Sequence, residues 1–319
     1  MTSVRPLLRS LMAKPWIWAY VAAVLVWLAT VITTGGQATV GLLNAAFTFG
    51  SFFTLVGIGQ MYVITLGPGN VDLSIPTTMV LAATISIKTM DGDPAMIPIG
   101  LALTIAVGII VGAANYALIR LLRIPPIIAT LSSSFIILSV AIVWNRGLRI
   151  KPPELLGDFP GTDVFGVPLV ALLVIAIAVV MHVVLERTRY GRSVTAIGQN
   201  PRAARLAGVP VDRTRFVAYV SSAILASLAG FLLASYSGGP ALNMGDPYLL
   251  TSIAVVVIGG TAVTGGYGNV PGLWGASLFL FLLAAMLNTF GIGEGVRQVL
   301  TGVIVILVIV VASFRKAPD

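Results

Sequence analysis

Residues 166–185 read GVPLVALLVIAIAVVMHVVL, a run of 20 positions without an Asp, Glu, Lys or Arg. An α-helix of about 20 apolar residues is long enough to cross the hydrocarbon core of a bilayer. The charged segment ERTRYGR follows directly at 186–192. This change from apolar to basic sequence predicts a membrane-spanning helix that ends at a polar surface near residue 186.

The rest of the chain repeats this pattern on both sides of that stretch. Polar or Gly/Pro-containing breaks separate the apolar runs, which are continuous and too long for the strands of a β-barrel. The ten predicted spans are 16–33, 40–60, 61–87, 95–119, 127–144, 166–185, 216–236, 247–263, 272–290 and 296–314. We therefore expect an all-α polytopic membrane protein that forms one transmembrane domain over residues 1–319, with some of its helices discontinuous.

The composition supports a membrane protein and excludes several other classes. Of 319 residues, 57% are hydrophobic and 9% are charged, whereas soluble domains carry about 25% charged residues. The absence of cysteine excludes disulfides, thiolate metal sites and cysteine nucleophiles. The sequence also offers no Ser–His–Asp arrangement, paired acids or cluster of metal ligands. We expect no catalysis, no metal and no cofactor in this chain.

The basic side chains indicate how the chain crosses the membrane. They are concentrated in the N-terminal tail, after the fourth span, in loop 186–214 and at the C-terminus. The positive-inside rule then predicts that both termini are cytoplasmic, which requires an even number of spans. Topology thus explains the net charge of +8 without a nucleic-acid partner. The first span exceeds the apolar core of a signal peptide, which is about 7–15 residues, so we expect an uncleaved helix.

The loop at about 186–214 contains signals for a short helix. Asn200 is a favourable N-cap, Pro201 suits the first helical position, and Gly208 suits the left-handed residue that ends a helix. The predicted helix, Pro201–Ala207, is too short to be stable in isolation. It could insert into a cleft of another protein or lie on the anionic lipid surface, and the residues alone leave both interpretations open.

A second candidate region surrounds Asp72. The Gly67-Pro68-Gly69 sequence breaks the apolar run just before it. A carboxylate at membrane depth is a candidate functional group by default. Asp72, with Ser74 nearby, could instead cap the next helix or fix the loop, and a discontinuous helix lining a cavity would combine both roles.

Other polar positions in the apolar runs have two interpretations each. Asn44, Asn115 and Asn288 could join helices by hydrogen bonds or face a polar pathway. The Gly-rich stretch at 259–268 matches no phosphate-binding motif, so we expect a tight cytoplasmic turn with close backbone packing.

Five sequence blocks, in this order along the chain, resemble the ribose-type ABC importer permeases. They are VDLSIP (71–76), IIATLSSSFI (127–136), RYGRSVTAIGQNPRAARLAGV (189–209), ASLAGFL (226–232) and IAVVVIGGTAVTGGYGN (253–269). The first block departs from the family at Ile75-Pro76, where Val-Gly is usual, which leaves the identity of the sugar open.

The resemblance implies a bacterial inner-membrane permease that works in a larger assembly. Its expected partners are a second permease copy or paralogue, a separate ATP-hydrolysing subunit that carries the ATP, and a periplasmic sugar-binding protein. A short cytoplasmic helix of such permeases sits in a groove of the ATP-hydrolysing subunit. Carried over to this chain, the coupling residues are Gly198, Asn200, Pro201, Arg202, Ala203, Ala204, Arg205 and Gly208.

The sequence therefore favours a permease for a monosaccharide or related small polar solute. Asp72, Ser74, Asn44 and Asn288 are its candidate pathway or helix-break residues. An ion-coupled secondary transporter is the main alternative and would need ion-binding groups in the spans. A membrane enzyme acting on lipid would need a nucleophile or an acid–base pair, and the sequence suggests none.

Overall fold

A computed structural model of the protein describes residues 16–36, 39–145 and 151–313. The helices are α1 (Ile17–Thr33), α2 (Val40–Thr65), α3 (Ile75–Met90), α4 (Ile97–Leu121), α5 (Pro126–Trp144), α6 (Glu154–Asp158), α7 (Leu169–Arg187), α8 (Arg189–Gln199), α9 (Pro201–Leu206), α10 (Val211–Tyr236), α11 (Tyr248–Ile258), α12 (Val270–Thr289) and α13 (Glu294–Ser313). Single 3-10 turns lie at Pro94–Met96 and Phe159–Gly161, and a two-stranded antiparallel hairpin pairs β1 (Asp163–Val164) with β2 (Val167–Pro168).

The helices have the lengths that a polytopic membrane protein requires. Among the described residues, six helical segments are long and apolar enough to cross a membrane. They contain α2, α4, α5, α7, α10 and α12, and α1, α3 and α11 are shorter apolar helices. The expected all-α polytopic class is confirmed, with the small hairpin before α7 as the one departure in the described chain.

The interior is built around α10, which packs against α2, α3 and α4. A Cβ atom added to Gly108 or Gly112 of α4 would lie 2.6 Å from the Cα of Ile224 or 2.5 Å from the Cα of Val220. These two glycines let the backbones of α4 and α10 approach closely, as small residues do between membrane helices. Helix α12 packs against both α1 and α2.

The boundary between the second and third predicted spans was wrong. The sequence placed it at 60/61, whereas α2 continues to Thr65 and α3 begins at Ile75. Gln60 is polar but fully buried, and its Oε1 accepts a hydrogen bond from the Asp72 amide at 3.0 Å. The Gln60 side chain therefore makes an internal contact within the continuous helix α2. The break that Gly67-Pro68-Gly69 predicted is present, because residues 66–74 are not helical.

Two further boundaries differ from the sequence prediction. Predicted span 247–263 is helical only to Ile258, because Gly259 ends α11 and Gly260 takes φ +88°.

Loop 186–214 contains a second helix, α8, which was not predicted from the sequence. Its signals were a capping threonine, whose Oγ1 accepts from the Gly191 amide at 3.2 Å, and inward-facing positions three and four residues apart at Gly191, Val194, Ile197 and Gly198. The basic residues of both termini lie outside the described residues.

Candidate functional site

Helix α9 has the caps that its sequence predicted. The Asn200 side chain Oδ1 accepts hydrogen bonds from the amides of Arg202 and Ala203, both at 3.0 Å. At the other end, Gly208 has φ +80° and its amide donates to the carbonyl of Arg205 at 3.1 Å. The helix ends at Leu206, one residue before the predicted end. The caps satisfy backbone groups that a helix of this length would otherwise leave to water.

One side of α9 is seated on the protein and the other is presented to the surroundings. Ala204 is only 4% exposed, whereas Leu206 is 91% exposed. Arg202, Ala203 and Arg205 are exposed as well. The exposed surface of this short helix therefore carries two guanidinium groups and one leucine side chain.

Helix α8 connects α9 to the end of α2 through a close backbone contact at Gly198. A Cβ atom on Gly198 would overlap the carbonyl oxygen of Thr65 and the amide of Gly266. The Gly266 amide itself donates to that Thr65 carbonyl at 2.9 Å. The end of α8, the end of α2 and the Gly-rich turn therefore meet in one place. This agrees with the close backbone packing expected for the Gly-rich stretch.

Asp212 forms a second connection near α9. Its Oδ1 lies 3.2 Å from Nε of Arg120 and accepts from the Tyr116 hydroxyl at 3.2 Å, while a guanidinium nitrogen of Arg205 is 4.0 Å away. These contacts join the C-terminal end of α4, the first turn of α10 and α9. The side chains are about half exposed, so each ion pair contributes at most about 1 kcal/mol to the stability of the fold. Their main effect is to hold α9 and the ends of α4 and α10 in position relative to one another.

Asp72 is buried among hydrogen-bond donors, with 1% of its surface exposed. One carboxylate oxygen accepts from the Ser74 amide at 3.0 Å and from the Ser74 hydroxyl at 2.6 Å. The other accepts from the Ser222 hydroxyl on α10 at 2.8 Å. With the Gln60 contact to its amide, Asp72 links the break between α2 and α3 to both α2 and α10. This arrangement fits the fixing of the loop that the sequence left as one of two roles.

The hydrogen-bond network around Asp72 extends to α4 and α5. The Asn115 amide nitrogen donates to the Ser74 hydroxyl at 2.7 Å, and its oxygen accepts from the hydroxyl of Ser133. Asn115 thus joins helices, one of the two roles considered for buried amides. Thr130 of α5 accepts from the Leu73 amide at 3.0 Å. The polar groups of the break are therefore held from four surrounding helices.

The two remaining candidate amides lie away from this network. Asn44, near the start of α2, donates from its amide nitrogen to Asp163 of the hairpin at 2.7 Å. Asn288 is exposed near the end of α12. The structure thus brings Asp72 and Ser74 together and leaves Asn44 and Asn288 elsewhere.

Three partners of this network, Gln60, Ser133 and Ser222, were not predicted from the sequence. Serine and glutamine occur in many spans, and their spacing along the chain does not indicate that they meet Asp72. Within the described residues, no three His, Asp or Glu side chains approach each other closely enough to bind a metal ion.

Comparisons with known proteins agree with this architecture. A protein family described as the permease component of branched-chain amino acid transport systems matches residues 41–310. A probable ABC transporter permease of Sinorhizobium fredii, y4mJ, is 30% identical over 285 residues, which cover 85% of this chain and 84% of the relative. The autoinducer 2 import system permease LsrD of Photorhabdus laumondii is 29% identical, over 84% of this chain and 83% of the relative.

LsrD of Escherichia coli K12 is 28% identical over the same shares of the two chains. No solved structure matches the chain significantly. The matched region extends from the start of α2 into α13 and includes α8, α9 and the Asp72 network. The protein therefore belongs to the family of ABC importer permeases described as the permease component of branched-chain amino acid transport systems.

Proposed function

We propose that the chain forms the translocation pathway for a monosaccharide or related small polar solute, together with a second permease copy or paralogue. As a permease of this family it is a multi-pass inner-membrane protein, and ATP is hydrolysed on a separate subunit. A periplasmic binding protein delivers the solute. Both termini and loop 186–214 face the cytoplasm, as the distribution of basic residues favours.

The chemistry of the buried polar groups supports an uncharged solute. In the described chain, the buried polar side chains are Ser, Thr, Asn and Gln, with Asp72 as the one buried acid. The Asp72 carboxylate is already surrounded by Ser74 and Ser222. An ion-coupled transporter would need further ion-binding groups at this depth. A neutral solute needs hydrogen-bonding groups and apolar surface instead.

The role of α9 as the coupling helix carries the proposed mechanism. The helix is capped at both ends, seated by Ala204, and joined through Gly198 to the end of α2. A displacement of α9 is therefore transmitted through backbone contacts to the break between α2 and α3. When the partner subunits close around ATP, this displacement moves the spans between inward-open and outward-open arrangements.

Deletion of Pro201–Ala207 tests this role, with Arg205→Glu as a milder variant. In proteoliposomes with the ATP-hydrolysing subunit and binding protein, we expect both variants to insert normally and to lose ATP-driven uptake. Normal uptake by the deletion variant would refute the coupling role. Uptake that survives ATP depletion but stops when the proton gradient is removed would instead identify an ion-coupled transporter.

A further inference from the structure

A groove lies between α9 and the first turns of α10. It has a volume of about 330 Å³ and is lined by Pro201, Arg202, Arg205, Leu206, Val211 and Arg215. Three of these residues are apolar and three carry guanidinium groups. A surface of this kind fits a ligand that is negatively charged and has apolar neighbours.

Two of the three guanidinium groups of the groove have no carboxylate partner within the described chain. Neither Arg202 nor Arg215 has a described carboxylate within 4.0 Å, and Arg205 reaches Asp212 only at 4.0 Å. Asp212 is engaged more closely by Arg120, at 3.2 Å. The Nε atom of Arg215 is buried and has no hydrogen-bond partner among the described residues. A buried charged donor without an acceptor is costly, so the groove is chemically incomplete.

The electrostatic surroundings select an anionic ligand. Residues 186–215 contain seven arginines but only two acids, Glu186 and Asp212. Such an excess of positive charge attracts carboxylate or phosphate groups and repels basic surfaces.

The exposed apolar area favours a protein partner over the lipid surface. Leu206 is 91% exposed, whereas Ala204, on the side of α9 that packs against the protein, is 4% exposed. Leu206 is the one large hydrophobic side chain exposed on α9, so α9 lacks the continuous apolar face with which a helix lies in a lipid interface. A leucine beside unpaired arginines is instead suited to a shaped protein cleft, since leucine needs a pocket and arginine needs a fixed acceptor.

We infer that the ATP-hydrolysing partner inserts an Asp or Glu side chain into this groove, where Arg202 and Arg215 bind its carboxylate, while Leu206 enters an apolar pocket of the partner. This inference rests on the proposed docking of α9 and adds the chemistry of the partner surface. In this arrangement the carboxylate contact fixes the orientation of α9 on the partner. Burial of Leu206 supplies the rest of the binding affinity.

Binding measurements with neutral variants test the carboxylate contact. Purified permease in nanodiscs of neutral lipid is titrated with the cognate ATP-hydrolysing subunit. We expect the triple variant Arg202→Gln, Arg205→Gln, Arg215→Gln to bind at least about 30-fold more weakly, as truncation of a buried interfacial charge pair does. The control, Arg187→Gln, Arg189→Gln, Arg192→Gln, removes the same charge outside the groove and should bind almost normally.

A zero-length cross-link identifies the partner group. In an Arg202→Lys variant, a carbodiimide joins the new amine to any carboxylate within contact distance. Mass spectrometry should find an amide bond between position 202 and an Asp or Glu of the ATP-hydrolysing subunit, and none from a control Arg189→Lys variant. A bound complex without a cross-link from position 202 would overturn the inference.

The outcomes separate this inference from the proposed function. Normal binding by the groove variant, together with loss of binding when Pro201–Ala207 is deleted, would overturn the carboxylate contact and leave the coupling role intact. Normal binding by both would overturn the coupling role itself. A loss by the groove variant that appears only with anionic lipid would assign the arginines to lipid headgroups and also overturn the inference.

Discussion

Asp72 illustrates how a single buried acidic side chain can hold a non-helical segment inside a membrane protein. Its two carboxylate oxygens accept three hydrogen bonds, from the Ser74 amide, the Ser74 hydroxyl and the Ser222 hydroxyl. Hydrogen bonds to charged groups contribute about 1.5–3 kcal/mol each, and loss of a partner leaves a buried group unsatisfied. The carboxylate is therefore well placed to keep residues 66–74 in one conformation.

Asp72→Asn replaces one acceptor oxygen with a donor that faces the existing donors. We expect a loss of stability of about 1.5–3 kcal/mol and a larger relative loss of ATP-driven uptake than of membrane insertion. Uptake is normalised to the amount of inserted permease, and thermal unfolding in detergent gives the stability. Asp91→Asn, at an exposed turn, is the matched control. Equal losses of uptake and insertion would assign Asp72 to structure alone.

Asn200 has a role confined to one helix end. Asn200→Ala removes the acceptor of two α9 amides and should weaken the cap by about 0.5–2 kcal/mol. We expect reduced ATP-driven uptake with normal insertion, because α9 would lose its defined start. Asn200→Asp keeps an oxygen at the same place and should restore uptake. Failure of Asp to restore it, when Ala impairs it, would contradict a capping role.

At the scale of the elements, the proposed transmission of movement from α9 to the spans depends on the contact between α8 and α2. Gly198 places the backbone of α8 directly against Thr65 and Gly266, so movement of α8 and α9 cannot be absorbed by flexible side chains. The Asp212 contacts with Arg120 and Tyr116 add a second, exposed connection to α4. Force from a partner would therefore be divided between α2 and α4.

Gly198→Ala should disrupt this transmission. The added methyl group overlaps backbone atoms, which cannot move aside as a side chain can, so α8 must shift away from α2. We expect ATP hydrolysis by the assembled complex to continue while uptake falls at least about tenfold, as overpacking costs about 1–3 kcal/mol. Gly41→Ala, where a Cβ meets no atom within 4 Å, should leave both activities unchanged. Retained uptake in Gly198→Ala would show that the close contact is not needed.

For the whole molecule, the orientation in the membrane can be tested with single cysteines, because the chain contains none. Phe165, at the tip of the hairpin, is 103% exposed and precedes α7 in the chain. Leu206 of α9 is 91% exposed and follows α7. In cells with a permeable outer membrane and expressing the permease alone, a membrane-impermeant maleimide should label Phe165→Cys from outside. It should label Leu206→Cys only after the inner membrane is opened.

The two alternatives give distinct labelling patterns. The opposite pattern would reverse the proposed orientation of the termini. Labelling of both cysteines from the same side would mean that α7 does not cross the membrane.

The local features of this protein were predictable from its sequence. The apolar runs define the helices of a polytopic membrane protein, because a bilayer requires about 20 apolar residues per crossing. Asn200, Pro201 and Gly208 bounded α9 to within one residue, and Gly67-Pro68-Gly69 marked the break after α2. Each of these signals acts through neighbouring residues, so it can be recognised without knowledge of the fold.

The long-range contacts were decided only by the tertiary structure. Asp72 and Ser222 are 150 residues apart in the chain, and Gly198 contacts Thr65 and Gly266, which are also distant from it in sequence. Gln60 lies at the predicted boundary between two spans, yet it is buried inside α2 and accepts a hydrogen bond from the Asp72 amide, which the sequence could not show. Composition and periodicity specify which segments are helices and which faces are apolar. They do not specify which helices become neighbours, and that packing determines the polar network of Asp72 and the path from α9 to the spans.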